Sequence, residues 1–194
     1  MKLIVGLGNP GDIYRDCRHN IGFSIIKALA TAKRASLKKE RGILSLSAKA
    51  KINNQVVVLA QPLTFMNLSG EAVSALVKRY KINLNDLLVV SDDLDLGLGR
   101  IKIRPSGSSG GHRGLNSVIN SLKDNNFARL RVGIGRPRQK DIAAAEYVLS
   151  PFSRKEKGEV KRTLEKACQV CEVWLEDGIT EAMNIFNKRS KGDE

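Results

Sequence analysis

The sequence predicts an α/β sandwich, a single domain whose twisted, mixed and mostly parallel central sheet is flanked by helices. Short apolar runs of strand length alternate along the chain with stretches of helical period, the order of strand-helix-strand units. The length, 194 residues, suits one domain, and folding a chain of this size removes roughly 70% of its unfolded surface from water, enough for a core without disulfides or metals. Hydrophobic residues at 42% and charged residues at 27% exclude a disordered, collagen-like or coiled-coil chain.

Residues 2 to 8 are an apolar run closed by Gly8-Asn9-Pro10-Gly11, a buried strand followed by a turn. Residues 21 to 34 carry apolar side chains at helical spacing. Residues 43 to 50 and 55 to 60 read as a strand pair turning at Asn53-Asn54, which makes the sheet mixed. Gly70 to Tyr80 is an amphipathic helix with Ala72, Val73, Leu76, Val77 and Tyr80 on one stripe. Strands over Leu87 to Val90 and Ile101 to Arg104, a helix over Leu115 to Leu122 and a strand over Leu130 to Ile134 follow. Ser153-x-x-Glu156 is a capping-box signature opening a long helix that Gly178 interrupts, with a second helix to about Asn187. The domain is read as spanning 1–194, with about 150–190 a helical segment packed on it, beginning where it could cover a cleft.

The formal charge is +13, and all of the excess is amino-terminal, with 24 basic against 11 acidic residues in 1–149 and nine against nine thereafter. A localised excess suits a protein that meets a polyanion. Lys33, Arg34, Lys38, Lys39 and Arg41 also fit a merely solvated surface. Arg100, Lys102 and Arg104 alternate on a strand and so project from one face, and Arg129, Arg131, Arg136, Arg138 and Lys140 form a further basic cluster. No apolar run reaches the ~18 residues of a membrane helix, and the amino-terminal run is shorter than the apolar part of a secretion signal. Cys17, Cys168 and Cys171 form no framework, which suits a reducing compartment, so the cytoplasm is expected. Cys168-x-x-Cys171 lies in a helical stretch without a second ligand pair, which argues against zinc.

Ligand sites in open α/β sheets gather beyond the carboxyl ends of strands. Three segments land there: the turn at Asn9, Ser91-Asp92-Asp93, and the glycine-rich Ser106 to His112. Gly6-x-Gly8-x-x-Gly11 has dinucleotide spacing, but Pro10 stands where a helix would open, and the Gly107 to Gly111 loop lacks the Gly-Lys-Ser/Thr of a phosphate-binding loop. Histidine is the side chain best suited to proton transfer near neutral pH, and the chain has only His19 and His112. His19 stands where a helix opens, near the Asn9 turn, and Asp92 at a strand end is placed to accept its ring N–H, leaving the other nitrogen to take a proton from water.

At these residues the chain resembles bacterial peptidyl-tRNA hydrolase. The matching pieces are Val5-Gly6-Leu7-Gly8-Asn9-Pro10-Gly11, Arg18-His19-Asn20-Ile21-Gly22, Pro62-x-Thr64-Phe65-Met66-Asn67-x-Ser69-Gly70, Asp92-Asp93-Leu94-Asp95-Leu96, Gly110-Gly111-His112-x-Gly114-Leu115, Arg129-Leu130-Arg131-Val132-Gly133-Ile134-Gly135 and Tyr147-Val148-Leu149. They lie in family order across residues 5 to 149. The resemblance implies an esterase that cleaves the bond between peptide and tRNA, and because no His/Cys/carboxylate cluster of the sequence supplies a convincing metal site, hydrolysis without metal or cofactor is expected. It implies His19 as general base, Asp92 as its orienting partner and Asn9 as a residue that positions the substrate. Phe65, Met66 and Asn67 match the substrate-binding segment, Tyr14 a contact to the tRNA end, and Arg104, Arg131 and Lys140 basic positions near tRNA phosphates. The family usually reads Gly-Gly-His-Asn-Gly, and Arg113 here puts a charged donor where that Asn holds the peptidyl-tRNA end. Ser91 stands where a His often precedes the aspartate. The implied partner is peptidyl-tRNA, with no membrane, and the protein is expected to be a monomer. A non-enzymatic RNA-binding protein and an amidase of the same fold are the alternatives, the second lacking the metal ligands or nucleophile such chemistry needs.

Overall fold

The computed structural model describes residues 1–52, 54–137 and 141–188. Its elements are β1 (Lys2–Gly6), α1 (Ile21–Ala32), β2 (Lys38–Lys39), β3 (Ser45–Ile52), β4 (Gln55–Pro62), α2 (Ser69–Tyr80), β5 (Leu87–Asp93), β6 (Ile101–Arg104), α3 (Arg113–Leu122), β7 (Ala128–Gly133), α4 (Ala144–Leu149) and α5 (Lys157–Phe186). They build one seven-stranded sheet in the order β2-β3-β4-β1-β5-β7-β6. The four central strands, β4, β1, β5 and β7, run parallel, while β2-β3, β3-β4 and β6-β7 are antiparallel. The mixed character follows the expectation, but parallel pairing prevails only in the centre, and among the described residues half of the strand pairs are antiparallel. At one edge β2, β3 and β4 follow each other through short connections, whereas at the other β6 is joined to its antiparallel neighbour β7 through α3. Only a tight turn is needed to reverse direction, whereas a parallel neighbour needs a helical crossover. At the β3-β4 hairpin Asn54 takes the left-handed conformation (φ 62°) that a tight turn asks for. Asn53 lies outside the described residues.

Alternation along the buried strands sorts the core into two layers. Ile4, Leu59, Leu88, Val90, Leu130 and Val132 face α1 and α5, whereas Leu3, Val5, Val58, Leu87 and Val89 face α2 and α3. The sequence stripe Ala72, Val73 and Leu76 is the buried face of α2. The expected break in the last helix is real: α5 leaves helical geometry at Gly178 (φ 83°, ψ −175°). In the turn before it the carbonyls of Trp174 and Leu175 accept hydrogen bonds from Lys2 Nζ, both at 3.0 Å. Among the described residues no helix is long and apolar enough to cross a membrane.

Candidate active site

The adjacent strands β1 and β5 end side by side, and Leu7 N–H extends their contact to the carbonyl of Val90 at 2.9 Å. Three segments converge beyond these ends. Asn9 follows β1, Asp92 closes β5, and His19 sits on a 3₁₀ turn, Arg18–Asn20, that runs into α1. Glycine makes this approach possible, because a Cβ on Gly6 would lie 2.2 Å from the carbonyl oxygen of Gly22 in the first turn of α1.

Asparagines fix the two turns to each other. The Asn20 side chain accepts from the Asn9 N–H at 2.8 Å and donates to the Asn9 carbonyl at 2.9 Å. The Asn9 side chain in turn accepts from the Met66 N–H at 2.8 Å, which locks the Phe65-Met66-Asn67 segment beside the strand ends. Asn9→Ala leaves that buried N–H without a partner. It is expected to lower stability by about 1–3 kcal/mol, read from denaturant unfolding at unchanged slope.

His19 Nδ1 lies 2.7 Å from Asp92 Oδ1, and His112 Nε2 lies 2.9 Å from the same oxygen. The hydrogen bonds fix both tautomers. His112 begins α3, and its Nδ1 accepts the N–H groups of Gly114 and Leu115, each at 3.1 Å, so its proton is on Nε2 and is donated to Asp92. Asp92 also accepts from His19 Nδ1–H, which leaves the lone pair of His19 on Nε2. Burial of Asp92 opposes its charge, yet His112 and then His19 outweigh it and hold the carboxyl below the ordinary carboxylate range. The site therefore keeps the Asp92 carboxylate charged behind the imidazole of His19. One ligand atom from each of His19, Asp92 and His112 lies within 4.8 Å of the others, a spacing that could hold a metal ion. The donor set does not fit one, because His112 Nε2 carries a proton and its Nδ1 lone pair is occupied by two backbone donors.

These groups line a cavity of about 1080 Å³. Tyr14, Phe65, Asn67, Arg104, Arg113 and Arg131 line the same cavity. Phe65 and Asn67 are exposed in it, while Met66 between them is buried, 4% exposed, and packs into the α2-α3 layer. Gly114 leaves room for that methionine, since a Cβ there would meet its Sδ at 2.4 Å. Among the described residues Arg104 has no ion-pair partner, whereas Arg131 is paired with Asp93. Lys140 lies outside the described residues.

The sequence profile described as Peptidyl-tRNA hydrolase matches residues 3–194. The chain belongs to the peptidyl-tRNA hydrolase family. It is 44% identical over 188 residues to the peptidyl-tRNA hydrolase of Syntrophomonas wolfei, covering 96% of this chain and 100% of that one. It is 46% identical over 187 residues to that of Desulforudis audaxviator, covering 96% and 93%. The crystal structure of peptidyl-tRNA hydrolase from Acinetobacter baumannii superposes with a TM-score of 0.91 at 33% identity, covering 98% of this chain and 96% of that one.

The peptidyl-tRNA hydrolase motifs thus meet around one cavity, but several basic residues do not do what their spacing suggested. Arg104 lines the main cavity, while Arg100 and Lys102 line a separate one of about 420 Å³ beside α5. Arg129 is 2% exposed and braces the glycine-rich loop from below, donating to the carbonyls of Gly107, Ser108 and Asn125. Among the described residues α5 contributes nothing to the main cavity and packs instead on α1 and β6, so the cleft is walled by α4, through Ala144, Ala145, Val148 and Leu149. The cysteines are structural: burial pushes Cys171 well up and Cys168 up to about 11, and Cys17 is buried beside Pro151. Sequence reasoning left His112 without a role. The signal was a polar residue directly before a helical apolar run, the place of an N-cap, but its contact with Asp92 joins segments distant in the chain.

Proposed function

We propose that this chain hydrolyses the ester between a peptide, or an N-blocked amino acid, and the ribose of tRNA, using a water activated by His19 and no metal. The observation that carries the reading is the pairing of His19 Nδ1 with the buried Asp92 carboxylate at 2.7 Å, which leaves Nε2 as the base in a cavity lined by the substrate-binding segment. His19 Nε2 takes a proton from water as the oxygen attacks the ester carbonyl carbon. Asp92 stabilises the imidazolium that forms. The tetrahedral intermediate collapses, the bond between the carbonyl carbon and the ribose oxygen breaks, and the imidazolium returns its proton to the leaving hydroxyl. The products are a peptide carboxylate and free tRNA. Asn9 and Asn67 bind the ester end. Phe65 and Tyr14 offer exposed rings to the terminal nucleotide, and Arg113 stands at the rim as a further donor. The substrate ties the reaction to the cytoplasm, where one copy of the chain suffices because all these groups come from a single protomer.

Arg104, Arg131 and Lys140 are read as contacts to tRNA phosphates. Affinity for tRNA should fall by about 0.7 to 0.9 log units per log unit of salt for each phosphate neutralised. Arg104→Glu should flatten that slope more than Arg131→Glu, because Arg131 already shares its charge with Asp93. The reading is tested by release of free tRNA from N-acetylated aminoacyl-tRNA. Release by the wild-type chain supports the hydrolase, and binding without release identifies an RNA-binding protein in its place.

A further inference from the structure

His19 belongs to a three-residue 3₁₀ turn, too short to hold its own position, and its two neighbours anchor it in different directions. Asn20 ties it to the β1 turn. Arg18 ties it to the opposite wall of the cleft. The Arg18 guanidinium, 6% exposed, pairs with both carboxylate oxygens of Glu156 at 2.9 and 2.8 Å. It lies 4.4 Å from the ring centroid of Tyr147 and 4.8 Å from that of Phe152. Its backbone N–H donates to the carbonyl of Ser150 at 3.0 Å, and Cys17 bridges to Pro151. Glu156, the capping-box residue of the sequence, also accepts the Ser153 N–H at 2.7 Å before α5 begins. Hydrogen bonds from Arg18 are the main reason that its carboxyl is held down at about 2. Tyr147 is itself fixed, donating its hydroxyl proton to the carbonyl of Ile134 at 2.9 Å. One guanidinium thus joins the turn that carries His19, the carboxyl end of α4 and the approach to α5.

A guanidinium stacked between rings and bound at both forks has a geometry that lysine cannot reproduce. Helix α4 has six residues, contains no fully buried one, and presents Val148 and Leu149 to the cavity. Its apolar anchorage is limited to Tyr147 and Val148, partly buried against the core, so the clamp is a main determinant of its distance from His19.

We propose that Arg18 is a positioning residue, which with Glu156 and Tyr147 locks the α4 wall and His19 into one rigid unit and so presents a substrate seated against α4 to the base. This rests on the hydrolase reading above. Phosphate contacts are made elsewhere, so loosening the clamp lowers the rate of the chemical step more than it weakens binding.

The test uses the full chain with Arg18→Lys and, as a milder variant that keeps the volume and one acceptor, Glu156→Gln. Steady-state hydrolysis of N-acetylated aminoacyl-tRNA is measured well below both melting temperatures, with hydrogen exchange of the α4 amides followed in parallel. Arg18→Lys is expected to lower kcat by at least tenfold and Glu156→Gln by less, with KM within about threefold and α4 exchange faster while β1 and β5 stay protected. Unchanged kcat with a lowered melting temperature overturns the proposal, because the pair would then only stabilise the fold. A rise in KM alone overturns it too. Wild-type chain that does not hydrolyse the substrate contradicts the function and not the clamp, which the exchange of α4 in the two variants still decides.

Discussion

His19→Ala is expected to lower turnover of N-blocked aminoacyl-tRNA by about 10²- to 10⁴-fold, the usual worth of a positioned general base. The fold should survive. Asp92 would keep its second partner, because His112 Nε2 lies 2.9 Å from the same carboxylate oxygen that His19 uses. Truncating His19 therefore leaves no orphaned buried charge, and thermal unfolding should shift by only a few degrees. KM should stay near the wild-type value, since His19 makes no contact to phosphate in this mechanism. Turnover within about threefold of wild type would remove His19 from the chemistry.

Asp92→Asn is the second large effect and separates charge from geometry. One oxygen, Oδ1, accepts from both imidazoles. An asparagine that places its carbonyl there keeps both hydrogen bonds and both tautomers, and loses only the negative charge. A unit charge at about 4 Å is worth about 4 kcal/mol at the effective dielectric near a protein surface, so the imidazolium formed during reaction should be destabilised enough to slow kcat by about 10²- to 10³-fold. Nitrogen NMR of the His19 ring should still show the proton on Nδ1. If the tautomer is retained and the rate is unchanged, the Asp92 charge is not required. If the tautomer has switched, the rate loss belongs to geometry. Asp92→Ala should be worse than Asn, because it also leaves the His112 N–H unpaired at a site where the aspartate is 4% exposed.

Much of this was legible before any coordinates. Runs such as Leu3-Ile4-Val5 and Leu87-Leu88-Val89-Val90 are apolar at every position and of strand length, as in a strand covered on both faces, and they alternate with stretches of helical period. That made a parallel centre visible, and with it the strand ends where Asn9 and Asp92 lie. His19 could be placed because Gly22 and the following apolar period marked a helix start. The residues that were not legible act across the chain. Nothing local says that Arg129 is buried: its alternation with Arg131 is that of a surface strand face, and only the loop folded over it, Gly107 to Ser108, turns it into a brace. Arg18 and Glu156 looked like a motif residue and a capping residue, 138 positions apart. Edge pairing was likewise hidden. The four residues of β6 carry no direction in their pattern, and the antiparallel register Ile101↔Val132 to Arg104↔Arg129 follows from which edge of the sheet lay open.

The central claim is that the imidazole at the ends of β1 and β5 activates water without help from a metal. It is tested most directly by single-turnover hydrolysis of N-acetylated aminoacyl-tRNA in ¹⁸O-labelled water, with protein freed of metal and held in excess chelator. The expected result is undiminished release of free tRNA, with one ¹⁸O in the carboxylate of the released acyl group and none in the ribose hydroxyl. Loss of activity in chelator that returns on adding a divalent cation would contradict the account, as would label appearing in the ribose.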